Sequence, residues 1–119
     1  MGRRRNRRSR ENKLICILKR NYLLSKEIIL QRLRQIKPQL QEKYNLKELA
    51  LFGSYSRDEQ TDNSDIDIMV KMSIPNFKNY VNAYRSLEEL FPGVKVQVVS
   101  RGAIRPKYFV YVEPDLIYA

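Results

Sequence analysis

Asp65 and Asp67 stand two residues apart in the run "DIDIMVK", and twelve residues before Asp65 the chain reads Gly53-Ser54. Two residues along a strand span about 7 Å with both side chains on one face, so the carboxylates repel each other by about 2.5 kcal/mol at an effective dielectric near 20. Solvent at an open edge can relieve this, which makes the pair an ordinary polar face. A divalent cation relieves it better, because a hard cation such as Mg2+ takes carboxylate oxygens and keeps positions for phosphate and water. Gly53-Ser54 supplies the complementary half. A glycine at a strand end lets the backbone approach a ligand, and a following helical turn aims N–H groups at an anion. The Ser54 hydroxyl adds a donor, and Arg57 is placed to balance triphosphate charge. A glycine-serine pair alone is usually just a turn. Joined to paired carboxylates on the next strand, it describes two-metal phosphoryl or nucleotidyl transfer, with Asp65 and Asp67 as metal ligands and Gly53, Ser54 and Arg57 as nucleotide contacts.

Composition narrows the chemistry from the other side. The 119 residues contain no histidine and one cysteine, Cys16. Histidine-based nucleophilic schemes, histidine proton shuttles and the common zinc sites are thereby excluded, and no internal disulfide can form, which fits a reducing cytoplasm. No apolar run reaches the length of a membrane span; "LICIL" at 14–18 is cut off by Lys19-Arg20. The net charge of +10 is unevenly spread: residues 1–20 carry nine Lys/Arg against one acid, and the remainder carries fourteen against twelve. Basicity therefore belongs to "MGRRRNRRSR", whose residues have almost nothing apolar to bury. Residues 1–24 read as a basic arm and lead-in, either a solvated tail or a segment that touches nucleic acid or an acidic partner. One small domain is expected over 25–119.

The elements that must position the carboxylates are legible from period and capping. Ser25 is a helix N-cap, and Ile29, Leu33, Ile36 and Leu40 form one apolar stripe over 26–44, with Pro38 expected to kink or split the helix. "LKELALF" at 46–52 reads as a strand ending at Gly53. "DIDIMVK" at 65–71 alternates, with Ile66, Ile68 and Val70 on one face and Asp65, Asp67 and Met69 on the other. Phe77, Tyr80, Val81, Tyr84, Leu87 and Phe91 follow helical spacing and read as core, with Pro92-Gly93 as the stop. "VKVQVVS" at 94–100 is a third strand, with Gln97 opposite the valine face. After it, Tyr108 to Val112 favour a strand, whereas Pro106 and Pro114 bracket a short helix. Tyr108, Tyr111 and Tyr118 are expected to pack this segment.

The stretch "LFGSYSRDEQTDNSDIDIMV" resembles the signature of the minimal nucleotidyltransferases, the MntA-like branch of the DNA polymerase β superfamily. Their pattern is a Gly-Ser turn, ten residues and Asp-x-Asp, and here Ser54 and Asp65 are separated by ten residues. The resemblance runs from about Ser25 to the ending "DLIYA". It implies an α/β fold, a small mixed sheet with helices packed on one side. It further implies phosphate binding at Gly53 and Ser54, Mg2+ at Asp65 and Asp67 with ATP as substrate, and transfer of AMP to a hydroxyl of a HEPN-type toxin, silencing that toxin.

The resemblance has two departures. The family commonly carries a third aspartate in the strand that here reads "VKVQVVS", and the matching residue is Gln97. An amide oxygen coordinates weakly and cannot accept a proton as a general base. Either Asp65 and Asp67 suffice for transfer, since positioning and electrostatics carry much of this chemistry, or the site survives as a non-catalytic binding module. The second departure is Asp58, where the family commonly has glycine.

Overall fold

The computed structural model describes residues 24–119 apart from Pro75. The basic arm, except Leu24, and Cys16 lie outside the described residues. Helix α1 spans Lys26–Tyr44, capped by the Ser25 hydroxyl, which accepts from the Ile28 amide at 3.3 Å. Its stripe is as expected: Ile29, Leu33 and Leu40 are fully buried and Ile36 is partly buried against the core. Pro38 does not split it. Apolar contacts on both sides of the proline hold the two halves on the same sheet, and burying each such side chain contributes about 1.5–3 kcal/mol, comparable with the cost of an interior proline.

Strand β1 covers Leu46–Phe52, β2 Ile66–Met72, helix α2 Phe77–Glu89 and β3 Val96–Ser100. A short helix α3 follows at Pro106–Val112, then β4 at Ile117–Tyr118. The strands form one mixed sheet in the order β3-β2-β1-β4. β1 runs antiparallel to β2 and β4, while β2 and β3 are parallel and joined through α2, the crossover that parallel neighbours require. The main core is a continuous cluster including Leu33, Leu49, Leu51, Ile66, Ile68, Val70, Leu87 and Phe91. It lies between one sheet face and the two longer helices, in agreement with the expected fold class. Among the described residues no helix is long and apolar enough to cross a membrane.

One open reading is decided and two expectations need correction. Proline decides the ambiguous C-terminal stretch as a helix: Pro106 occupies the first turn, where its missing N–H costs nothing. Tyr108 and Tyr111 then lie on an exposed surface, and Tyr118 is about half exposed, so none of the three is a packing residue. Phe77 opens α2 and is 82% exposed. The helix is held instead by Ala83 and Leu87 together with Phe91 beyond its end, and by the Tyr80 hydroxyl, which donates to the Val98 carbonyl at 2.8 Å.

Candidate active site

The register of the sheet assembles the site. Phe52 at the end of β1 pairs with Asp67 on β2, and Asp67 pairs with Gln97 on β3. Asp65 immediately precedes β2. Because Ile66 and Ile68 are fully buried in the core, alternation turns Asp65 and Asp67 onto the opposite face. The same face at Ala50 and Met69, a cross-strand pair, is completely buried. The aspartates thus stand at one end of a closed sheet surface, partly shielded from water.

Gly53 is the pivot of the site. Its φ of +78° lies in the left-handed region that side chains disfavour. A β-carbon there would stand 3.0 Å from the Asp67 Cγ and closer still to Oδ2. Beyond it the chain winds into a tight turn: the Ser56 and Arg57 amides donate to the Gly53 carbonyl at 3.1 and 3.3 Å, and the Glu59 amide donates to the Ser54 carbonyl at 2.9 Å. Among the described residues, no turn carbonyl accepts from the amides of Ser54 or Tyr55. Tyr55, 1% exposed, and buried Ser56 anchor the turn to the body. The Ser56 hydroxyl donates to the Asp115 carbonyl.

Burial pushes the Asp67 carboxyl above the usual carboxylate range; the nearby Asp65 charge pushes the same way, and Arg57 opposes both. The repulsion expected from the two-residue spacing is therefore present, and Arg57 is within electrostatic reach of Asp67. Arg57 is nevertheless engaged elsewhere. Its Nε meets the Glu59 carboxylate at 3.0 Å and its Nη1 meets Asp115 at 2.5 Å. Asp115 is a residue that sequence spacing did not single out; it lies 58 positions away and arrives only because β4 returns alongside β1. Asp58 adopts φ 57°, a conformation glycine takes freely, and pairs with Lys26 at 3.0 Å.

The donor set fits a hard cation at Asp65 and Asp67, with the glycine turn beside it for an anion. Among the described residues, no group of three or more His, Cys, Asp or Glu forms a metal cluster. Gln97, exposed on β3, occupies the neighbouring position. A separate cavity of about 610 Å3, lined by Met72, Phe77, Tyr80, Val98 and Val99 among others, contains none of these residues.

Fold and site together define a small one-sheet α/β protein that holds a glycine turn against paired carboxylates. Residues 33–116 match the nucleotidyltransferase domain, and the chain belongs to that family, in its minimal nucleotidyltransferase branch. It is 43% identical over 90 residues to a Methanocaldococcus jannaschii protein provisionally named protein adenylyltransferase MJ1379, covering 72% of this chain and 89% of that one. It is 30% identical over 97 residues to protein adenylyltransferase MntA of Thermococcus cleftensis, covering 81% and 97%. Among solved structures, a provisionally named minimal nucleotidyltransferase aligns with TM-score 0.64 at 25% identity over 79% of this chain and 95% of that one. A toxin-antitoxin crystal structure with AMP-PNP aligns with TM-score 0.55 at 25% identity over 80% and 72%.

Proposed function

We propose that this protein transfers AMP from ATP to a hydroxyl of a partner protein, a HEPN-type toxin, and so acts as its antitoxin in the cytoplasm. The observation that carries the reading is the contact of Gly53 with Asp67, which sets the glycine turn beside the paired carboxylates. The names of the adenylyltransferase relatives and the AMP-PNP toxin-antitoxin complex support the nucleotide and the class of partner. The HEPN identity rests on the family resemblance.

In this reading the Ser54 and Tyr55 amides and the Ser54 hydroxyl bind the phosphates, and Gly53 permits their close approach. Asp65 and Asp67 hold Mg2+, which when bound neutralises phosphate charge. Arg57 exchanges a carboxylate partner for a phosphate oxygen. Chemistry consists of forming a bond from the acceptor oxygen to the α-phosphorus, its hydroxyl proton passing to solvent, and breaking the bond to pyrophosphate, with positioning as the chain's main contribution. The working unit is residues 25–119. The arginine-rich arm is a candidate contact for nucleic acid, and its removal tests that role separately.

Gln97 favours a second reading, in which the protein neutralises its partner by binding alone. The two separate in one assay: Mg2+-dependent transfer of label from α-labelled ATP to the toxin, with wild type, Asp67→Asn and Gln97→Asp. Label with wild type that is lost in Asp67→Asn supports the enzyme. Label only with Gln97→Asp identifies the natural chain as a binding module.

A further inference from the structure

Resting on the nucleotidyl-transfer reading, we infer that this site takes a single divalent cation with its nucleotide, and that Gln97 is what excludes a second. Parallel pairing sets Gln97 directly beside Asp67, and neighbouring strands lie about 4.8 Å apart with paired side chains on the same face. Gln97 therefore occupies the place from which β3 would contribute a ligand. Its amide is neutral, offers one acceptor oxygen and presents two N–H donors that a cation repels.

Charge makes the difference. Asp65 and Asp67 balance one divalent cation. A second, held about 3.5–4 Å from the first as in two-metal sites, would share the phosphates but finds no carboxylate on β3, whose residues read VQVVS. Of the other carboxylates near the turn, Asp58 pairs with Lys26, and Glu59 and Asp115 with Arg57; a partner released when Arg57 turns to phosphate belongs to the turn or to the segment before β4, not to β3. The Asp67 carboxylate packs on Gly53, on the turn side of the site. Asp65 and Asp67 belong to the cation that accompanies the nucleotide, and the β3 side of the site is left with an uncharged ligand.

Counting bound Mn2+ tests this without reference to turnover. The full chain is saturated with a non-hydrolysable ATP analogue, dialysed against Mn2+, and examined by electron paramagnetic resonance, with Gln97→Asp in parallel. Wild type is expected to hold one Mn2+ per chain with the spectrum of a magnetically isolated ion. Gln97→Asp is expected to hold two, with the spectrum of a spin-coupled pair. Because Gln97 is exposed, the variant keeps its fold, and a matching thermal unfolding curve checks this. Two ions in wild type overturn the inference and leave the nucleotidyl-transfer reading standing. One ion in both proteins overturns the assignment to Gln97. No ion and no analogue bound in either overturns the nucleotidyl-transfer reading and the inference with it.

Discussion

Asp67 lies so close to the α-carbon of Gly53 that residue 53 has no room for a side chain. The contact joins the two halves of the site, since the turn that follows β1 is held against the carboxylate pair of β2. It also makes glycine a double requirement, for space and for its φ of +78°.

Gly53→Ala is therefore expected to cost about 1–3 kcal/mol of stability through backbone strain and to displace Asp67. Its effect on nucleotide binding should exceed its effect on folding. Thermal unfolding and titration with an ATP analogue measure the two separately; full analogue affinity in a destabilised variant contradicts the role assigned to the contact.

The raised Asp67 carboxyl fixes the sign of a pH effect. Its folded pKa lies above the unfolded value, so the native state binds more protons between the two, and this residue's contribution to stability falls as pH rises from the unfolded pKa to the folded one and is level above it. In metal-free buffer at neutral pH, Asp67→Asn should therefore raise the melting temperature and flatten its dependence on pH. Added Mg2+ with nucleotide should stabilise wild type and leave Asp67→Asn unmoved.

Arg57 bridges Glu59 and Asp115, and its side chain is 44% exposed. Such solvent-screened pairs contribute little to stability. Asp115→Asn should leave stability nearly unchanged while freeing Arg57 for phosphate, tightening analogue binding by about three- to fivefold. Arg57→Ala should weaken binding and reduce its salt dependence. Calorimetric titration at two ionic strengths reads both variants.

Asp58 at φ 57° predicts an inverted order of substitutions. At ordinary positions alanine is preferred over glycine, but in the left-handed region an L side chain costs about 1–2 kcal/mol. Asp58→Gly should be close to wild type, losing only the exposed Lys26 pair. Asp58→Ala should be about 1 kcal/mol less stable than Asp58→Gly. Chemical denaturation settles the order.

The amino-acid sequence by itself determined the capped helix from Lys26 to Tyr44, the three longer strands and the spacing of Gly53, Ser54, Asp65 and Asp67. Those features follow from local periodicity, capping and turn chemistry, which act over a few residues. It also placed Gln97 on the face opposite the valines, which the parallel register then set beside Asp67. Only the tertiary structure decided that Asp115 holds Arg57, that Lys26 meets Asp58, and that Asp67 closes on Gly53. It also decided that the aromatic residues Phe77, Tyr108 and Tyr111 face outward. Composition records that a side chain is apolar but not whether a neighbour covers it. Ion pairs across 32 or 58 positions depend on how the chain returns through the sheet, and no local pattern encodes that return.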